Sequence, residues 1–278
     1  MRKITEKAVF AEHNKTPRKV YFQDGEGGLK RIGLQTKAAN PVFFTYVESA
    51  KKIFEYQTKL KLWPSIFKRG NYWRYVNGEE IDKIEDWMKK QGTLVYLRDC
   101  LSLSIALSIN HTPTGLLRYK AKRLQDENSI HELVDMVEQR IRDLPYYQSA
   151  DLICSVPPSS GKNFHLPDRI ASLLDEKIDK QVVIEGFVFD GIKLPIKDVP
   201  FSERWQNWED ARVSFQNGDE FNVNGKTVIL IDDMYQSGIT IQYIAMKLQQ
   251  AGAREVYGLC LIKARRDTDN VSCNTDDG

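Results

Sequence analysis

Val228-Ile-Leu-Ile-Asp232-Asp233-Met-Tyr-Gln-Ser237-Gly238-Ile-Thr240 is the stretch on which the reading of this chain turns. Four apolar residues lead into two acids, then a short loop of Ser, Gly and Thr. The segment that follows, Ile241 to Gly252, has a helix's composition. This order reads as a buried strand that delivers two carboxylates and a small-residue loop to a helix N-terminus. Such a terminus carries unpaired N–H groups and the positive end of a dipole, and it binds phosphate. The acids cannot hold that phosphate, but they can accept hydrogen bonds from sugar hydroxyls beside it or hold Mg²⁺. A sugar phosphate is the ligand these residues suit.

Two other readings compete. An apolar run ending in Asp-Asp also closes Walker B strands, and Ser160-Gly161-Lys162-Asn163 imitates the tail of a P-loop. The P-loop pattern requires Gly at 156 and Ser or Thr at 163, whereas Val156 and Asn163 stand there. The second alternative is a purely structural Asp pair capping a helix after a core strand.

With 278 residues the chain is long enough for a large core, and its length suggests two domains. No apolar run approaches the roughly 20 residues needed to cross a bilayer. The start, Met1-Arg-Lys-Ile-Thr-Glu-Lys7, lacks a secretory apolar segment. The cysteines (100, 154, 260, 273) are scattered and form no C-x-x-C pair, which suits a disulfide-free cytoplasmic protein. Charge is uneven. Residues 1–100 hold 20 Lys+Arg against 12 Asp+Glu and 15 of the 29 aromatics. That composition fits either a nucleic-acid surface or an ordinary domain with core aromatics and solvated lysines.

Along the chain, Arg18–Phe22 reads as a short strand, Val47–Lys61 and Glu79–Lys90 as helices, and Asn77-Gly78 as a turn. From about residue 92 strands dominate: Thr93–Leu97 and Leu101–Ile109. Ser129-Ile-His-Glu132 is a capping box expected to open a helix reaching Leu144. Asp151–Val156 is a buried-type strand, followed by the loop Pro157–Asn163, a helix opened by Pro167 and a strand Val182–Phe189. A linker, Asp190–Glu203, precedes a short helix. The motif strand is then followed by helix 240–251 and strand Glu255–Ile262. This alternation implies a parallel sheet covered on both faces, with ligands off the carboxyl ends of its strands. The expected division is a basic, aromatic-rich region 1–95, a core domain 96–265 and a polar tail 266–278.

The motif stretch resembles the phosphoribosyl-pyrophosphate (PRPP) loop of type I phosphoribosyltransferases. That pattern is four apolar residues, two acids, two residues, then Thr/Ser-Thr/Ser-Gly-x-Thr/Ser. Asp232, Asp233, Ser237, Gly238 and Thr240 match it; Gln236 stands where the family has a small hydroxyl residue or Ala. Gly115–Lys120, Asp151–Pro157, Arg204–Asn207 and Ala251–Val256 are similar to a ComF-like subgroup over about residues 112–263. The resemblance implies an α/β fold: a parallel-sheet (Rossmann-like) type I phosphoribosyltransferase core with an N-terminal mixed α/β extension.

The resemblance also implies roles. Tyr235, Gln236, Ser237, Gly238, Ile239 and Thr240 would hold the 5′-phosphate. Asp232 and Asp233 would accept hydrogen bonds from the ribose 2′ and 3′ hydroxyls. Ser159, Ser160, Gly161 and Lys162 would meet pyrophosphate. A closing loop, Gly191–Arg204, would bring Lys193, Lys197 and Arg204 to the leaving group. Arg204 could equally pair with Glu203 or Asp210. Mg²⁺ would be the cofactor, carried mostly by substrate and water, with Asp232 and Asp233 as potential contacts. The expected ligand is PRPP or a nucleoside monophosphate, with transfer of phosphoribose to an unidentified acceptor. The alternatives are a catalytically silent PRPP or nucleotide sensor, or a nucleic-acid-associated adaptor or stress effector on the same fold. A nucleic-acid or protein partner would use the basic N-terminal region; a homodimer is admitted and no membrane is expected.

Overall fold

Val228–Ile231 is apolar at every position because its strand is covered on both faces. The computed structural model describes residues 2–23, 29–31, 40–66, 71–158, 164–195, 199–218 and 221–266. In chain order the elements begin with α1 (Glu6–His13), β1 (Lys19–Val20), β2 (Leu29–Arg31), β3 (Asn40–Phe44) and α2 (Glu48–Thr58). Then come β4 (Trp63–Pro64), β5 (Tyr72–Val76), α3 (Gly78–Lys90), β6 (Val95–Leu97) and β7 (Leu103–Ile109). Next are α4 (Pro113–Tyr119), which runs into a π-helical turn at Lys120–Leu124, α5 (Glu127–Asp143), α6 (Pro145–Gln148) and β8 (Leu152–Ser155). They are followed by α7 (Leu166–Asp175), β9 (Gln181–Val183), β10 (Phe187–Phe189), a 3₁₀ turn at Phe201–Glu203 and α8 (Arg204–Asp210). Last are β11 (Val213–Phe215), β12 (Thr227–Tyr235), α9 (Ile239–Gln250) and β13 (Glu255–Lys263).

The main sheet has seven strands in the order β1-β6-β7-β13-β12-β8-β9. Its five strands from β7 to β9 are parallel. β6 and β1 add antiparallel at the β7 edge. Side-chain alternation along β12 divides the core. Ile229 and Ile231 join a cluster with Ile130, Leu133 and Val134 of α5 and Ile170 of α7. Val228 and Leu230 join the other cluster, with Ile241, Ile244 and Leu248 of α9. Full burial of each such side chain contributes about 1.5–3 kcal/mol.

β2-β3-β5-β4 form a separate antiparallel sheet. Its Val42, Phe44 and Val76, with Ile53 and Phe54 of α2 and Trp87 of α3, belong to the same cluster as α5 and β7. Phe54 meets Trp87 edge-on at 5.0 Å and Phe44 lies 5.5 Å from Phe54. Many N-terminal aromatics are therefore core. Trp63 and Tyr75 are exposed, and Trp73 lies 5.5 Å from the first and 5.2 Å from the second.

Several expectations need correction. A division at residue 95 runs through β6, whose Tyr96 and Leu97 pair with Val20 and Lys19; the first strand of the chain thus belongs to the main sheet. α5 opens three residues earlier than its expected capping box, because the side chain of Asp126 takes the Ser129 N–H at 2.9 Å. Asn77 is a cap rather than a turn residue, exchanging hydrogen bonds with Glu80. The strand expected over 182–189 is two strands in different sheets. At the break, a Cβ on Gly186 would lie 2.3 Å from the Phe215 ring, so only glycine lets β10 approach β11 that closely. β12 does not end before the acids: it runs on to Tyr235, because Met234 and Tyr235 still pair with Ile262 and Lys263 of β13.

Candidate functional site

A cavity of about 230 Å³ lies off the carboxyl ends of β8 and β12. It is walled by Val156 and Pro157 after β8, Asp232–Gly238 and Thr240, Arg118 and Lys122, His165, and Lys193 with Trp208. This is where a parallel sheet presents ligand-binding loops.

Gly238 fixes the loop between strand and helix. Its φ of +81° is left-handed, and a Cβ there would collide with Tyr235 at 2.2 Å. Gly238 is the N-cap of α9 and brings no side chain of its own, and Ser237 Oγ accepts the Ile239 N–H at 3.4 Å. The first turn of α9 offers N–H groups and the positive dipole end to the cavity. The loop is held from behind. Arg18 Nη2 donates to the Ser237 carbonyl at 3.1 Å, and Arg204 Nη1 donates to Ser237 Oγ at 3.4 Å. The Gln242 amide donates to the Gly238 carbonyl at 3.0 Å, while its oxygen accepts the Cys100 N–H at 2.9 Å.

Asp232 and Asp233 are both buried at the cavity wall. Asp232 Oδ1 accepts the Asp233 N–H at 2.7 Å. Burial, and then the charge of Asp233, push the Asp232 carboxyl up to about 6. Burial acts on Asp233 in the same sense, but Arg118 and Lys122 outweigh it and hold that carboxyl below the usual range. Both cations donate to the same oxygen, Oδ2: Arg118 Nη2 at 2.8 Å, and Lys122 Nζ closer still.

On the β8 side, Ser155 Oγ donates to Asp168 Oδ1 at 2.5 Å, and His165 Nδ1 lies 2.8 Å from Asp168 Oδ2. His165 itself lines the cavity wall. Lys193 is nearly buried, with Nζ 4.1 Å from the centre of the Trp208 ring. Trp208 in turn stacks on Tyr243 of α9 at 5.5 Å.

The structure thus brings Asp232, Asp233, Tyr235, Gln236, Ser237, Gly238 and Thr240 to one cavity. Ile239 is buried at the start of α9. The Tyr235 side chain is also buried, its phenol directed toward the Arg98 carbonyl at 3.5 Å and the underside of Gly238. Arg204 is buried behind the loop rather than lining the cavity; its Nε donates to the Val199 carbonyl at 3.1 Å. Ser159, Ser160, Gly161, Lys162 and Lys197 lie outside the described residues. Sequence reasoning assigned no site role to Arg118, Lys122, His165 or Arg18, although Arg118 lies in the Gly115–Lys120 motif and Arg18 opens an expected strand. The available signal was the i, i+4 spacing of Arg118 and Lys122 on one helix face.

Residues 168–276, fewer than half of the chain, match the phosphoribosyl transferase domain family. No curated protein matches the sequence. Solved structures with partial likeness include a purine phosphoribosyltransferase from Pyrococcus horikoshii. It is 16% identical, covers 48% of this chain and 72% of its own, and has a TM-score of 0.30. A hypoxanthine phosphoribosyltransferase from Staphylococcus aureus is 19% identical, over 53% and 71%, with a TM-score of 0.33. An adenine phosphoribosyl transferase from Trypanosoma brucei, solved with AMP, pyrophosphate and ribose-5-phosphate, is 13% identical, over 62% and 88%, with a TM-score of 0.36. Among the described residues no helix is long and apolar enough to cross a membrane.

Proposed function

We propose that this is a cytoplasmic phosphoribosyltransferase, ComF-like in its motifs, that binds PRPP and transfers its phosphoribosyl group to an acceptor base or nucleotide-like nucleophile. The observation that carries this reading is one cavity in which the N-terminus of α9 stands beside two buried carboxylates. The 5′-phosphate is assigned to the Gln236–Thr240 turn and the ribose hydroxyls to Asp232 and Asp233. The acceptor attacks C1, and the C1–O bond breaks with its electron pair leaving on pyrophosphate. Lys193, held against Trp208, adds positive charge to the cavity wall.

Mg²⁺ enters this reading as the substrate's counter-ion. Among the described residues no group of three or more His, Cys, Asp or Glu could hold a metal. Asp233 is already shared by Arg118 and Lys122, so these side chains do not make a metal seat of their own.

Calorimetry tests the proposal: PRPP with Mg²⁺ should bind the wild type and not the D232N/D233N variant. Unchanged binding by that variant would end the reading. Turnover is read separately, as pyrophosphate release against a panel of bases. A second reading, a PRPP or nucleoside monophosphate sensor without turnover, is favoured by Gln236, which offers an amide and no titratable group. It is supported by binding without pyrophosphate release. The exposed Trp63, with Trp73, Tyr75 and Arg74 beside it, supports a single-stranded nucleic-acid partner for that form. A salt-sensitive RNA or DNA shift lost in W63A/Y75A tests the partner.

A further inference from the structure

Arg118 and Lys122 approach Asp233 from α4 and the π-helical turn that continues it. The π turn winds Lys120–Leu124 more loosely than an α-helix, and both cationic ends still meet on one carboxylate oxygen. Such turns are concentrated at functional sites. Both cations line the cavity wall, where their two charges face the two carboxylates of Asp232 and Asp233. Arg118 is also underused: its Nε is buried without a hydrogen-bond partner among the described residues. A guanidinium offers five donors in a fixed fork, a geometry suited to phosphoryl oxygens.

The position matters as much as the charge. Asp233 follows Ile229 and Ile231 toward the face of the sheet covered by α5 and α7. The α9 terminus lies with Val228 and Leu230 on the other face. The acid pair therefore stands between two anion-attracting groups, one on each side of the sheet.

We propose that Arg118 and Lys122 form a second anion seat, which takes the diphosphate on C1 of the ligand and releases Asp233 for a ribose hydroxyl. This inference rests on the sugar-phosphate reading above. It assigns the diphosphate to a helix that precedes the family-matched segment 168–276. In the ligand-free protein Asp233 holds the seat's place, so the cations stay ordered without substrate.

The test compares PRPP, ribose 5-phosphate and inorganic pyrophosphate, each titrated with Mg²⁺ by calorimetry into the full chain. R118Q/K122Q should weaken PRPP by about tenfold or more, as expected for lost hydrogen bonds to charged groups. It should abolish pyrophosphate binding and change ribose 5-phosphate less than about threefold, the part of the loss that falls outside those bonds. Because that variant strands a buried carboxylate, R118Q/K122Q/D233N is measured against D233N alone, and the same selective loss of PRPP is expected. An equal loss for PRPP and ribose 5-phosphate, or no loss of PRPP, means that the cations only neutralise Asp233, and the seat is rejected. If the wild type binds pyrophosphate through Arg118 and Lys122 but not PRPP, the seat stands and the PRPP reading falls. If it binds neither, both fall.

Discussion

Gly238 lies directly over Tyr235: a Cβ at position 238 would stand 2.2 Å from the phenolic oxygen and 2.4 Å from Cζ. Space and backbone conformation thus both demand glycine, since φ there is +81°. G238A should cost about 2 kcal/mol or more in denaturant unfolding and abolish ribose 5-phosphate binding. Y235F should not rescue it, because the ring carbon still blocks the site. Full rescue would mean that the hydroxyl alone sets the constraint.

Asp232 works against the fold. Its folded carboxyl is raised to about 6 by burial and by Asp233. Protonation therefore adds stability that is fully present below the ordinary carboxylate range and is lost as pH rises through about 6. Asparagine keeps the Oδ1 that accepts the Asp233 N–H. D232N should be more stable than wild type by ~2 kcal/mol at pH 8, with the difference shrinking toward pH 4. Ligand binding should be lost in the same variant, a trade of function against stability. Chemical denaturation across that pH range decides it; a less stable D232N at pH 8 contradicts the prediction.

Asp233 behaves in the opposite sense. Arg118 and Lys122 hold its folded carboxyl below the usual range despite burial. The stability it contributes is present above the ordinary carboxylate range and is lost as pH falls through the depressed folded value. D233A strands two cations and should cost ~3 kcal/mol at neutral pH, the low end for a broken buried pair because Lys122 is one-third exposed. The penalty should fade in acid. A pH-independent penalty would point to packing instead.

Arg18 reaches across 219 residues of sequence to the Ser237 carbonyl. R18M should weaken ribose 5-phosphate binding by about tenfold without contacting the ligand, through loss of a charge-assisted hydrogen bond that fixes the loop. The measurement is calorimetry on the variant, alongside a melting curve to separate loosening of the loop from unfolding.

The parallel core was legible because each of its buried strands is a short apolar run bounded by turn residues, as at Leu152–Ser155 and Val228–Ile231. The loop at Gly238 was legible because its residue types are dictated locally by a left-handed backbone and a helix start. The placement of β1 was not. Two residues, Lys19 and Val20, carry no periodicity, and only their pairing with β6 assigns them to the sheet. The extension of β12 through its acids was hidden too, since charged residues in a strand interior are permitted only by partners distant in sequence, here Arg118 and Lys122. Arg204 read as an anion clamp because its burial behind Val199 and Ser237 depends on tertiary contacts.

β13, the latest strand in the chain order described, occupies an interior place between β7 and β12. Until it is synthesised, β7 and β12 each expose a long apolar edge with unpaired amides and carbonyls. The sheet therefore cannot assemble from the ribosome outward. The nascent chain must remain partly open, and exposed to aggregation, until the polypeptide has grown past Lys263.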